Sequence, residues 1–205
     1  MAEHEGEIPA KVELLAITEN AQRLIEEAGR TCYLSQDKMS EDTNRKFIRM
    51  LIKNGHTSVL EHAFATFRIT GGSRAFTHQI VRHRLASFSQ QSQRYVSEED
   101  FRVVIPPSIS ANPEAIKVFE EAMESSKIAY AKLKGMDIRK EDARFVLPNA
   151  AQSEIVISAN FREWRHILAI RTKKNAQWEI RLISQEILKI FVAEAPFVFE
   201  DLLEK

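Results

Sequence analysis

At 205 residues, with 29 Lys plus Arg against 29 Asp plus Glu, the chain is long enough to bury a substantial core and carries no net charge. Such a balance argues against a dedicated DNA or RNA binder, which is usually basic throughout, and no apolar run approaches the roughly 20 residues of a membrane span. A single cysteine, Cys32, excludes an internal disulfide and a cysteine-rich zinc site, and is expected as a small core residue.

The opening, MAEHEGEIP, is acidic where a secretory signal is basic and then apolar, so a cytoplasmic protein is expected. No repeat, low-complexity tract or Pro/Gly/Ser-rich linker divides the chain, which points to a single domain over residues 1–205. Val12 to Ile17 is an apolar run of strand length. Thr18 is expected to cap a helix through about Gly29, with Glu19 near its positive end. Ser40, followed by Glu41 and Asp42, opens a second expected helix whose Phe47, Ile48, Leu51 and Ile52 share a face; Gly55 ends it. Ser58 to His62 is the length of one more turn. From Ala63 to Thr70 the apolar Ala63, Ala65, Phe67 and Ile69 alternate with Thr66, Arg68 and Thr70, the period of a strand.

Gly71 and Gly72 are expected to break that strand, and Ser73 to cap a helix through about Arg84. On such a helix Gln79, Arg82, His83 and Ala86 stand at i, i+3, i+4 and i+7, so amide, guanidinium and imidazole emerge on one side. The following SFSQQSQ is too polar for a core and reads as a donor-rich loop leading into a strand at RYV. Asn112 and Pro113 open a long helix that Gly135 stops, with a broken apolar stripe of Ile116, Phe119, Met123, Ile128, Tyr130 and Leu133. Arg139 to Val146 is a shorter helix before Pro148, and Ser153 to Ser158 a strand. Asn160 to about Thr172 and Ala176 to Ala193 are helices; the second turns Ile183, Ile187, Ile190 and Phe191 toward a core before Pro196.

Charge is segregated along this order. His62 to Ser97 contains no Asp, Glu or Lys, yet carries Arg68, Arg74, Arg82, Arg84 and Arg94 and three histidines. Arginine without lysine favours a shaped anion site over a diffuse basic surface, because a guanidinium is a fixed fork of donors that matches phosphate or carboxylate. A second acid-poor stretch between Glu163 and Glu179 holds Arg165, His166, Arg171, Lys173 and Lys174. Two such segments can converge on a ligand with more than one phosphate. His56 and His62 lack the spacing of a metalloprotease or zinc-finger pair, so no metal site is expected. His83, between two arginines, is expected to stay neutral and to be a poor general base.

Taken alone, an Arg-His-Arg triplet is as often a solvated face as a site. Here Arg82, His83, Arg84, Ser87, Ser92 and Arg94 stand at the offsets of the RHRxxS and SxR pattern, and the chain resembles the flavin-dependent thymidylate synthases. GHTSVLEH (55–62), ARFVLP with Arg144, and NFREWRHILAIRTKKNAQWEI (160–180) resemble further blocks of that family in the same order. Ser89 and Gln90 stand where the family usually has Asn-Glu, His166 where Asn is usual, and Asn175 where His is usual.

The resemblance implies an α/β fold of the α+β kind, a central mixed sheet flanked by helices, assembled as a homotetramer with sites shared between subunits. It implies synthesis of thymidylate from deoxyuridylate, with methylenetetrahydrofolate as carbon donor, FAD as cofactor and NADPH as reductant. Deoxyuridylate would meet Gln79, Arg82, Gln90, Gln91, Ser92, Gln93, Arg94, Arg144 and Arg171. The flavin would meet His56, Ser58, Glu61, Arg82, His83, Arg84, Ser89, Gln90, Asn160, Arg162 and His166. Arg171 is the expected activator of the uracil, since a fixed cation beside the ring stabilises charge developing there. Ser92 can be read as a nucleophile or as a positioning hydroxyl; no general base adjoins it in sequence, which favours positioning. Cys32 lacks the surroundings of an activated thiol, and no GxGxxG or Walker motif marks a Rossmann or P-loop site. The same arginines on a phosphate backbone would suit a non-catalytic nucleic-acid-binding module, and Ser89 and Gln90 would suit a preference for another pyrimidine nucleotide.

Overall fold

The computed structural model describes residues 10–40 and 43–203, so the acidic opening and the Glu41–Asp42 pair lie outside the described residues. The elements run β1 (Lys11–Ile17), α1 (Ala21–Thr31), α2 (Asn44–Lys53), a 3-10 turn (Thr57–His62), β2 (Phe64–Ser73), α3 (Arg74–Ile80) and β3 (Ser87–Gln90). There follow α4 (Pro107–Ser110), α5 (Pro113–Gly135), α6 (Lys140–Ala143), β4 (Gln152–Asn160), α7 (Phe161–Arg171), α8 (Trp178–Glu194) and α9 (Pro196–Phe199). Among the described residues the strands form one four-stranded sheet in the order β1-β2-β4-β3. The expected α/β class is present, and the sheet is antiparallel where a mixed one was expected. Thr18 N donates to Phe64 O, Phe161 N to Ala63 O, and Gln91 N to Glu154 O, each pairing the end of one strand with the start of its neighbour.

The chain divides into two compact units. Of the described residues, the first takes 10–11, 69–80 and 89–155, and the second 12–40, 43–68, 81–88 and 156–203. The second has an aromatic core: Phe67 meets Trp164 and Phe191 edge-on at 5.1 Å, and Phe191 stacks on Phe199 at 4.1 Å. Trp164 is fully buried and keeps its indole N–H satisfied by donating to Ala65 O at 3.0 Å. In the first unit Tyr130 is the buried residue of α5; the rest of the expected stripe is at most half-buried, and Ile128 is exposed.

Several boundaries differ from expectation for identifiable reasons. Thr18 does not cap α1; its hydroxyl takes the Phe64 N–H at 2.9 Å, and the helix begins after Asn20 in a left-handed conformation. α2 begins at Asn44 rather than Ser40, because the Thr43 hydroxyl closes a turn with Ser40 N at 2.9 Å and donates to buried Glu26. Gly71 and Gly72 do not interrupt β2. A Cβ on Gly72 would lie 2.8 Å from the Phe76 ring, so this glycine admits the close approach of strand and helix. Ser73 does act as a cap, accepting from Phe76 N at 3.0 Å, but α3 ends at Ile80 instead of Arg84. The strand expected at RYV lies earlier, at Ser87–Gln90; Tyr95 N and Val96 N both donate to Ser92 O and make RYV a turn. Cys32 is exposed, not in the core, because it follows the last turn of α1. Asn112 and Pro113 open α5 as expected, the Asn112 side chain accepting from Glu114 N and Ala115 N.

Candidate active site

In the second unit, residues 81–86 leave the helix and turn, with Ala86 N bonded to His83 O at 3.0 Å. The turn separates what a continued helix would have kept together. His83 is 7 % exposed, whereas Arg82 and Arg84 on either side stay exposed. Arg171, the last residue of α7, donates from Nε to His83 Nε2 at 3.0 Å. Two arginine-rich segments 88 positions apart therefore meet through one hydrogen bond. The His166 ring approaches His83 edge-on with centroids 5.8 Å apart, and Glu163 Oε1 lies 3.7 Å from His83 Nδ1.

Burial, then the Arg171 guanidinium and then His166, push the His83 imidazole down from 6.5 to about 4. The neutral ring expected from sequence is thus present, although the nearby cation is Arg171 rather than the flanking arginines. Since Nε2 accepts from Arg171, the ring proton belongs on Nδ1. Burial pushes the Glu163 carboxyl up while nearby His166 pulls it down.

The other flavin candidates of this unit are anchored by ordinary structure. Asn160 caps α7, its Oδ1 accepting from Glu163 N at 2.9 Å. Arg162 pairs with Glu61, both near the surface. His56 precedes the 3-10 turn, and it and Ser58 are exposed, as is His166. Arg165, part of the second basic stretch, turns instead to Asp201 and the Val198 carbonyl. The guanidiniums of Arg82, Arg84 and Arg162 are exposed, Arg162 reaching Glu61, and a guanidinium fork is a donor that matches phosphate oxygens.

The first unit gathers most of the nucleotide candidates. Gln79 lies near the end of α3. Gln90 uses its amide donors on Thr77 Oγ1 at 2.9 Å and Ser153 Oγ at 3.2 Å, so the amide that replaces the usual carboxylate is tied into β4. Ser89, beside it on β3, is exposed. Gln91 donates to Glu98 Oε1 at 3.1 Å, and Gln93 is buried. The Ser92 hydroxyl accepts from Arg94 N at 3.3 Å, a local turn contact. Arg94 and Arg144 converge on Glu141: Arg94 Nε reaches its carboxylate at 2.9 Å, and Arg144 Nε its main-chain carbonyl at 3.0 Å.

Three charged residues were given no site role from sequence, although Arg74 counts among the arginines of the acid-free interval. Arg74 begins α3, and burial pushes its pKa down, with Glu98 pulling it back up and Arg144 lowering it further. Burial pushes the Glu98 carboxyl up against the pull of Arg74 and the Gln91 hydrogen bond. Its signal in the sequence was its place as the first acid after the acid-free interval. Glu163, four residues into NFRE, reads in sequence as the acidic partner of a capping box, which concealed its position behind His83. Among the described residues no group of three or more His, Cys, Asp or Glu is placed to hold a metal ion, and no helix is long and apolar enough to cross a membrane.

Residues 13–197 match the family described as thymidylate synthase complementing protein. The chain is similar to the flavin-dependent thymidylate synthase of Geobacter sulfurreducens, 43% identical over 199 residues, covering 93% of this chain and 86% of the relative. It is similarly related to that of Mycolicibacterium vanbaalenii, 41% identical over 224 residues, covering 94% and 90%. Among solved structures it resembles thymidylate synthase X from Helicobacter pylori with FAD and dUMP, with a TM-score of 0.83 and 22% identity over 96% of this chain and 100% of that one. A UMP/dUMP methylase, PolB from Streptomyces cacaoi, bound with 5-Br dUMP, superposes with a TM-score of 0.82 at 23% identity over 93% of each chain. At these identities the two structures speak to the fold.

Proposed function

Because this chain belongs to the flavin-dependent thymidylate synthase family, we propose that it converts deoxyuridylate to thymidylate, with methylenetetrahydrofolate as carbon donor and FAD reduced by NADPH. One observation carries the assignment to this chain's own residues: the Arg171–His83 hydrogen bond, which ties the two arginine-rich segments into one centre. The single match running through both compact units, over residues 13–197, supports reading the chain as one thymidylate synthase domain.

In this proposal Arg82, Arg84 and Arg162 bind the flavin's phosphates, with His56, Ser58, Glu61, Ser89, Gln90, Asn160 and His166 around it. His83, neutral and buried, has its ring nitrogens turned to Arg171 and Glu163, and so acts on the site through Arg171 rather than by bonding the flavin. When bound, the flavin supplies the hydride chemistry. Arg94 and Arg144, both held by Glu141, receive the nucleotide phosphate, and Gln79, Gln91, Ser92 and Gln93 orient the nucleotide. Arg171 provides the fixed positive charge beside the uracil, lowering the cost of negative charge on the base as carbon is added. Ser92 positions the substrate and does not attack it. A homotetramer with shared sites is part of the same proposal, supported by apolar side chains left in water beside the candidate residues: Leu85 is 81 % exposed, Tyr95 75 % and Phe145 83 %. A cytoplasmic setting follows from the phosphorylated substrates and the nicotinamide reductant.

The test is direct. Purified protein should be yellow, and with deoxyuridylate, methylenetetrahydrofolate and NADPH it should form thymidylate. Colourless protein that binds RNA with steep salt dependence and makes no thymidylate would return the arginines to a nucleic-acid-binding role. Faster turnover of another pyrimidine monophosphate would move the substrate and leave the reaction class intact.

A further inference from the structure

Glu163 occupies the third position of α7, where an acid after an Asn cap ordinarily reaches back to the cap residue and favours the positive end of the helix. Here its main-chain N–H already satisfies Asn160 Oδ1 at 2.9 Å, and its carboxylate turns inward to within 3.7 Å of His83 Nδ1. Both side chains are buried, Glu163 to 6 % exposure, so the carboxylate is placed there at a desolvation cost that a surface cap would not incur. On the far side of the same ring, Arg171 Nε donates to Nε2 at 3.0 Å. A neutral imidazole that accepts at Nε2 carries its proton on Nδ1, facing Glu163. At 3.7 Å the contact is longer than a hydrogen bond and acts as a charge–dipole attraction, which a small side-chain rotation would convert to a direct bond.

We propose that Glu163 is a positioning residue for the reaction: by holding the His83 proton on Nδ1 it keeps Nε2 as an acceptor, and so orients the Arg171 guanidinium. The order is carboxylate, imidazole, guanidinium, with Glu163 touching no substrate. This rests on the proposed role of Arg171, but its first test does not. If Glu163 were only a helix-start acid, removing it would lower stability and leave the ring and the guanidinium unchanged.

Protein labelled with nitrogen-15 at histidine reports the His83 tautomer through the shifts of its two ring nitrogens. The wild type should show protonated Nδ1 and unprotonated Nε2. Glu163→Gln, which keeps an acceptor oxygen, should retain that pattern. Glu163→Leu, similar in size but without an acceptor, should mix the tautomers. In turnover assays Glu163→Leu should lower kcat about tenfold, the low end of what removing the outer partner of a metal-bound histidine costs, with KM for deoxyuridylate changed less and flavin content retained. Glu163→Gln should recover most of the rate. An unchanged His83 tautomer in Glu163→Leu overturns the proposal, as does a wild-type kcat in that variant. Should Glu163→Leu fail to fold, a Glu163→Gln protein with mixed tautomers would overturn it equally. Absence of thymidylate synthesis in the wild type would sink the functional reading while the nitrogen shifts still decided the linkage.

Discussion

Arg171 and His83 set each other's state. The guanidinium helps keep the imidazole neutral, and the imidazole gives the guanidinium a fixed acceptor. Arg171→Ala should therefore remove most turnover while the protein still purifies with flavin; a near-normal rate would take Arg171 out of the mechanism. Ser92→Ala should weaken nucleotide binding without abolishing turnover, because the hydroxyl supports the turn at Arg94. Complete loss of rate with intact affinity would revive the nucleophile reading. His83 also makes stability depend on pH in a defined direction. The unfolded chain takes up a proton near the ordinary value of 6.5 and the folded chain only near about 4, so the unfolded state binds more protons between them and stability falls as pH drops through that window. Glu98 and Glu163, pushed up by burial, act in the opposite sense. The comparison that isolates the histidine is urea unfolding of wild type and His83→Gln at pH 7 and pH 4.5, where the variant should lose less stability on acidification.

At the scale of elements, two helix starts with the same chemistry should separate stability from function. Ser73 caps α3, which carries Gln79, and Asn112 caps α5, which carries none of the candidate residues. Replacing either by alanine should cost about 1 kcal/mol, read as a lowered denaturation midpoint. Only Ser73→Ala should also raise KM for deoxyuridylate; an equal effect of Asn112→Ala would mean that stability alone controls affinity. The alternation of Ala63, Ala65, Phe67 and Ile69 and the Asn-Pro start of α5 were legible because their signals are local. The end of α3 at Ile80 and the turn at RYV were not, because they depend on partners far along the chain: Arg171 for His83, and Lys140 Nζ for the Tyr95 carbonyl at 2.8 Å. What the sequence did signal was the meeting of its two arginine-rich segments, seen at Arg171 and His83, while Glu163 stayed hidden because its local signature is that of a cap.

For the whole molecule, the proposed nucleotide and flavin residues fall unevenly between the two compact units, and Leu85, Tyr95 and Phe145 stand in water beside three of the arginines. Burying such side chains against another copy would take exposed apolar surface out of water. Phe145→Asp should then shift the assembly toward smaller species in light scattering and lower activity in parallel. Subunit mixing tests the sharing of sites more sharply. Arg94→Ala and Arg171→Ala proteins should each be nearly inactive, yet co-refolding them should restore measurable turnover if a site draws Arg94 from one subunit and Arg171 from another. Mixtures as inactive as their components, with hybrid assemblies demonstrated by differential tagging, would place both residues in the same subunit's site and remove the sharing from the proposal.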